Sequence, residues 1–226
     1  MATLYIVPTP IGNLKDITLR ALELLREVDL VACEDTRRTL KLLNAYEIKK
    51  PLISCRAENE ARVAETICRE LERGRSVAYA SDAGTPGVSD PGAVLVRTVR
   101  QRGFPVIPLP GASALTMIMS ASGFSGKSVT FEGFLSPKPG RRRSRLRELL
   151  DREEAFVLYE SPFRIVKLMS DLADLSPERT VLVGREMTKL HEEFRESTAE
   201  SMKQELEGRN GQLGEFTVLV SGKKMA

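Results

Sequence analysis

The twelve residues Ser81-Asp82-Ala83-Gly84-Thr85-Pro86-Gly87-Val88-Ser89-Asp90-Pro91-Gly92 contain three glycines, two prolines and two aspartates. A tight turn needs only about four residues, so so much turn chemistry in one stretch argues for a binding loop. Asp82 directly follows an apolar run, where its carboxylate can accept hydrogen bonds from a ligand hydroxyl or amine. Asp90 stands before Pro91, a place that serves helix capping and ligand contact equally well. Two other loops have related chemistry. Pro8-Thr9-Pro10-Ile11-Gly12-Asn13-Leu14 lacks both the dinucleotide fingerprint and the phosphate-cradling lysine loop. A tight strand-to-helix turn is its plainer reading. Pro108-Leu109-Pro110-Gly111-Ala112-Ser113-Ala114 opens a helix with small residues, so its free N–H groups can face a ligand or simply pack on a sheet. Taken together, the three loops describe a pocket of backbone and small side chains with few charges. Such a pocket suits a nucleoside-bearing cofactor without a phosphate chain.

The elements that position these loops alternate. Leu4–Val7 is a short apolar run stopped by proline, the pattern of a buried parallel strand. Strands are also expected at residues 30–32, 52–53, 76–80 and 106–107. Helices are expected at 18–28, 36–45, 58–73 and 91–101, where apolar residues recur at helical spacing. The second half continues with strands at 129–131, 156–159, 181–183 and 216–220, a helix starting at Ser161-Pro162, and a capping box at Ser197 and Glu200. This alternation predicts two α/β domains with mostly parallel or mixed sheets. The glycines of residues 122–127 place the boundary between a first domain at 1–122 and a second at 123–226. In such folds ligands lie beyond the carboxyl ends of the strands, where the three loops fall.

Composition narrows the chemistry. Lys plus Arg total 34 against 31 for Asp plus Glu, so net charge announces no nucleic-acid partner and any such claim must rest on local clustering. His191 is the only histidine, which disfavours histidine-based nucleophilic catalysis and His-rich metal sites. Cys33, Cys55 and Cys68 form no C-x-x-C pair, so neither a disulfide framework nor zinc is expected, and reduced thiols fit a cytoplasmic setting. No targeting segment or membrane span is expected.

The three loops resemble those of the tetrapyrrole-methylase superfamily of S-adenosylmethionine-dependent enzymes. Further matches are Val31-Ala32-Cys33-Glu34-Asp35-Thr36-Arg37-Arg38-Thr39, Tyr159-Glu160-Ser161-Pro162-Phe163-Arg164-Ile165, and residues 185–193. With these, the chain most closely resembles the bacterial ribosomal RNA small subunit methyltransferase I family, over essentially its whole length. The proline-bearing first loop points to the RNA-modifying branch.

The resemblance implies methyl transfer from S-adenosylmethionine to the ribose 2′-hydroxyl of a cytidine in the decoding region of 16S ribosomal RNA, within the small subunit. It also implies a cofactor cleft between the domains, the second closing over the cofactor, and a homodimer. Carried over residue by residue, the cofactor contacts are Ile11, Gly12, Asp82, Ala83, Thr85, Ser113 and Ala114, with Tyr159, Arg185 and Thr217 from the second domain. Asp35, Glu160 and Glu186 each follow an expected strand and are candidates for a catalytic base, although ion pairing with nearby cations and pure substrate positioning compete with that role.

For RNA contact, residues 138–147 hold Lys138, Arg141, Arg142, Arg143, Arg145 and Arg147 with no acid. A solvated helix face is the competing reading. Arg37, Arg38 and Arg164 are secondary RNA candidates. The rivals are a porphyrin or corrin methyltransferase of the same superfamily and a non-catalytic ribosome-assembly factor.

Overall fold

A computed structural model describes residues 2–152, 154–208 and 213–222. The chain divides into two units, Met1–Ser113 and Ala114–Ala226.

In the first unit, β1 (Leu4–Val7), β2 (Leu30–Cys33), β3 (Leu52–Ser54), β4 (Val77–Ala80) and β5 (Val106–Pro108) form one sheet in the order β3-β2-β4-β1-β5. Every pairing in it is parallel. Strands β2 and β4 are buried at every position, which explains why they read as unbroken apolar runs rather than alternating ones. Helices α1 (Leu19–Glu27), α2 (Thr36–Ala45), α3 (Glu60–Glu72) and α4 (Ala93–Gln101) complete the unit. Two apolar clusters form its core. One joins Leu4, Ile6, Ile67, Leu71, Tyr79 and Leu95; the other joins Val7, Leu22, Leu25, Val31 and Leu43.

The second unit opens with α5 (Ala114–Ala121), followed by β6 (Val129–Phe134), α6 (Pro139–Asp151), β7 (Ala155–Glu160), α7 (Ile165–Leu175), β8 (Thr180–Arg185), β9 (Glu193–Thr198), α8 (Ala199–Glu207) and β10 (Phe216–Val220). Its sheet order is β6-β7-β10-β8-β9. Only β6 and β7 pair in parallel; the other pairings are antiparallel, so this sheet is mixed.

Three details differ from the sequence expectation. Helix α5 packs on β10 and β8, so the division falls at Ser113 and Ala114 rather than at residues 122 and 123. Strand β9, Glu-Phe-Arg-Glu-Ser-Thr, has no apolar alternation because it is a half-exposed edge, and periodicity passes over it. Helix α8 is capped by Thr198, whose hydroxyl accepts from Ser201 N, and not by Ser197. No helix among the described residues is long and apolar enough to cross a membrane.

Candidate functional site

The structure brings the three loops together at the carboxyl ends of β1, β4 and β5. Thr9 and Gly84 exchange backbone hydrogen bonds of 2.9 Å in both directions. The Thr9 hydroxyl donates to Ser81 O at 3.0 Å, the Ser81 hydroxyl to Gly84 O at 3.0 Å, and the Thr85 hydroxyl to Ala112 O at 3.0 Å. A methyl group added at Gly111 would meet Pro8 Cβ at 2.5 Å, so the first and third loops touch through the bare glycine. Residues 8–14 and 108–114 contain no charged side chain, and the twelve-residue loop is charged only near its two ends, at Asp82 and Asp90. Their donor set is therefore backbone N–H, carbonyl and hydroxyl. That set fits a sulfonium nucleoside and offers no cradle for a phosphate chain.

The far end of the twelve-residue loop has an anchor the sequence did not reveal. Glu60, on α3 and only 6% exposed, accepts hydrogen bonds from Gly92 N and Leu95 N, each 2.9 Å, and so caps α4 from a different helix. Tyr79 Oη donates to Pro91 O at 2.9 Å. Gly92 lies at φ +136°, and a Cβ there would fall 2.9 Å from the Tyr79 ring. Asp90 is consequently not the helix cap: the cap position is Gly92, and the capping oxygen comes from Glu60. A lone glutamate at the start of a helical pattern carries no mark of this role, because its partners lie more than thirty residues away.

The acids at these strand ends behave differently from one another. Asp35 caps α2 by accepting from Arg37 N at 2.9 Å and also pairs with the Arg37 guanidinium at 2.6 Å. That guanidinium holds its carboxyl far below the usual range, which makes Asp35 a poor proton acceptor. Its neighbour Glu34 is the opposite case. Burial first, and then the charge of Asp90, push it up to about 6, against the Asp82 N–H that contacts its Oε2 at 3.4 Å. Asp82 accepts from Asp35 N at 2.9 Å and lies 3.6 Å from Arg38 Nε, so it already has protein partners. Burial and the Asp82 charge also raise Asp90.

In the second unit, Tyr159, Arg185 and Thr217 share one end of the sheet. Thr217 pairs with Tyr159, and Phe216 pairs with Arg185. Tyr159 Oη accepts from Leu115 N at 3.1 Å, beside Ala114 at the start of α5. Arg185 donates to Leu213 O at 2.8 Å and pairs with Glu193. Glu186 is held by Lys189 Nζ at 2.7 Å and Glu215 N at 2.9 Å; burial pushes its carboxyl up, but these donors outweigh it and leave it lowered. Glu160 is buried, which raises it despite the Ser161 N–H at 2.8 Å and the Arg164 guanidinium at 3.1 Å.

The basic segment is less free than its sequence suggests. Arg142 is 5% exposed and bonds Asp171 at 2.7 Å, so it is part of the interior and not a phosphate contact. Arg143 bonds Asp171 and Asp174, and Arg145 bonds Glu132 and Glu148. The balancing acids come mostly from β6 and α7, which a scan for local acids cannot see. Lys138, Arg141 and Arg147 form no ion pair among the described residues, and Arg141 and Lys138 are exposed. Arg164 donates to Leu135 O at 2.6 Å, which makes it an internal anchor. Arg37 and Arg38 are exposed beside Asp35 and Asp82. Among the described residues no group of three His, Cys, Asp or Glu is placed to hold a metal ion.

Residues 3–203 match the family of Tetrapyrrole (Corrin/Porphyrin) Methylases. The chain is 46% identical over 219 residues to a Ribosomal RNA small subunit methyltransferase I of Borrelia garinii, covering 96% of this chain and 98% of the relative. It is also 46% identical over 224 residues to the protein of that name from Thermotoga maritima, covering 99% and 100%. Among solved structures, a Thermus thermophilus uroporphyrin-III C-methyl transferase complexed with S-adenyl homocysteine has the same fold, at a TM-score of 0.68 and 17% identity over 98% of each chain. A diphthine synthase shares it at a TM-score of 0.70 and 16% identity, over 97% of this chain and 90% of that one. The chain therefore belongs to the tetrapyrrole methylase family and, within it, to the ribosomal RNA small subunit methyltransferase I group.

Proposed function

We propose that this protein transfers a methyl group from S-adenosylmethionine to the ribose 2′-hydroxyl of a cytidine in the decoding region of 16S ribosomal RNA, in the cytoplasm and on the small subunit. The observation that carries the reading is the full-length likeness to two relatives bearing the small-subunit methyltransferase name. The three loops, charged only at Asp82 and Asp90, support it. The cofactor supplies an electrophilic methyl on a sulfonium: an O–CH3 bond forms, the S–CH3 bond breaks, and the hydroxyl proton passes to a base.

The sulfonium charge disappears on transfer, so a carboxylate pressed against it would stabilise the ground state more than the transition state. Ile11, Gly12, Ala83, Thr85 and Ser113 hold the cofactor through backbone and hydroxyl groups instead. Asp82, already bonded to Asp35 N, fixes the loop and accepts a hydroxyl or amine hydrogen bond with its remaining capacity. Ala114, Tyr159, Arg185 and Thr217 remain part of the proposed cofactor contacts, and self-association is carried over from the superfamily. Alignment of oxygen, methyl and sulfur supplies much of the rate, on the order of 7–11 kcal/mol in favourable systems.

The base in this reading is Glu34. Asp35 is locked on Arg37, and Glu186 on Lys189 and Glu215. Glu34 faces Asp82, Asp90 and Arg38, with Cys33, Cys55 and Tyr79 nearby, and its carboxyl sits at about 6. The ionised form accepts the proton, so single-turnover transfer is retained above that value and lost as pH falls through it. Glu34→Gln should slow transfer about 100-fold, as loss of a general base does, and remove this acid limb. A Glu34→Gln enzyme with an unchanged pH profile excludes the role.

The reading as a whole is tested by tritium transfer from labelled S-adenosylmethionine to small ribosomal subunits, alongside a ribose-methylation map with and without the gene. Label in small-subunit RNA and loss of one cytidine modification in the deletion strain are expected. Label passing to tetrapyrroles and not to RNA overturns it.

A further inference from the structure

Residues 160–164 form a short turn fixed at both ends. Ser161 N donates to the buried Glu160 carboxylate at 2.8 Å, and both Arg164 N and Ile165 N return to Ser161 O at 3.1 Å. Arg164 Nη2 then ties the turn to Leu135 O at 2.6 Å. This rigid scaffold presents Phe163 with 88% of its surface exposed. The tie also brings in Phe134, which precedes Leu135 and is 57% exposed. Phe134 sets its ring edge-to-face on Tyr159 at 5.8 Å, and the Arg164–Leu135 bond joins the chain neighbours of the two phenylalanines, so they are not a scattered pair.

The same corner is positively charged. Three residues beyond Leu135, Lys138 is the cap position of α6, and Arg141 lies in its first turn; neither has an ion pair among the described residues. The start of α6 has no side-chain cap and no acid in its first turn, so its positive end adds to these two cations. Exposed rings beside unpaired cations and an open helix start match the chemistry of unpaired RNA. A base offers its face to an aromatic ring, while the neighbouring phosphate meets Lys, Arg and backbone N–H groups. A protein partner would fit the rings but gives no reason for the uncompensated charge.

We propose that Phe163 is a stacking platform for an unpaired base of the RNA substrate, and that Lys138 and Arg141 hold the adjoining phosphate. This rests on the RNA-methyltransferase reading and assigns to it a substrate-gripping surface in the second unit, away from the methyl-donor loops in sequence.

The test uses the full-length protein and small ribosomal subunits from cells lacking the enzyme, with binding, single-turnover transfer and sedimentation measured together. Phe163→Ala and Phe163→Leu should each weaken subunit binding about tenfold, as loss of one base–aromatic stack does, whereas Phe163→Trp should keep it. Lys138→Gln with Arg141→Gln should also flatten the salt dependence. S-adenosylmethionine uptake by calorimetry should stay unchanged in every variant. Wild-type binding by Phe163→Ala overturns the platform, and wild-type binding by Phe163→Leu overturns stacking. A changed sedimentation coefficient with unchanged RNA binding also overturns it, in favour of contact between two copies of the chain. If the wild-type protein itself neither binds nor methylates subunits, the RNA reading fails as well; the platform alone fails when the wild type works and Phe163→Ala works equally.

Discussion

Gly111→Ala should reduce S-adenosylmethionine affinity about tenfold, or about 1.4 kcal/mol, because the loops lose the geometry that preorganises them for the cofactor. The added Cβ would fall 2.5 Å from Pro8 Cβ and 2.9 Å from Pro8 Cγ. Neither partner can yield by rotating a side chain, because the proline ring is fixed to its own backbone. Both loops are also tied down: Leu109 N donates to Ile6 O at 2.9 Å, and Thr9 is bridged to Gly84. The methyl group must therefore spread β1 from β5 at the point where the three loops meet. Gly140 provides the control. It lies in the first turn of α6 with nothing within 4 Å of an added Cβ, so Gly140→Ala should leave cofactor uptake unchanged. Isothermal calorimetry on both variants decides it, and equal affinities would mean the loop junction does not shape the cofactor site.

Asp171→Ala should destabilise the second unit by about 3–5 kcal/mol, because it leaves a buried arginine without its counter-charge. Arg142 has 6% of its side chain exposed, and Asp171 has 10%. Arg143 retains Asp174 and can turn toward water; Arg142 has no such route. The paired replacement Arg142→Met with Asp171→Leu should recover most of the loss, since apolar groups of similar size need no partner. The chain has no tryptophan, so urea unfolding is best followed by far-ultraviolet circular dichroism. A loss below about 1 kcal/mol for Asp171→Ala would place this pair in the class of weak surface bridges.

The fold was legible where burial imposes a pattern. Strands β2 and β4 announce themselves as continuous apolar runs because both faces are covered. Helix α1, expected over 18–28, runs over Leu19–Glu27 with Thr18 and Val28 as its two caps. Strand β9 was missed because an edge needs no apolar face. The three loops at the strand ends were visible because glycine and proline mark unusual backbone wherever they cluster. What could not be read is what depends on partners distant in the chain. Arg142 and Arg143 look like free cations until α7 supplies Asp171 and Asp174, and Arg145 until β6 supplies Glu132. Glu60 looks like an ordinary helix-surface acid until α4 docks onto it. Asp35 was one of three acids offered as a base, with Glu160 and Glu186; its position ahead of a helix makes it a cap, and Glu34 one residue earlier is the acid that burial and Asp90 modify.

The outer strand β9 has a consequence for how copies of this chain can meet. Its Glu193 and Arg195 pair with each other, Arg195 also pairs with Glu205 on α8, and Glu196 adds another charge. An incoming strand would have to desolvate this charged fringe to continue the ladder, so that margin resists templated fibre growth. Pairing of β9 with β9 between two copies is accordingly disfavoured by its chemistry, because each would bring the same charged fringe, and the sheet ends at its fifth strand on this side.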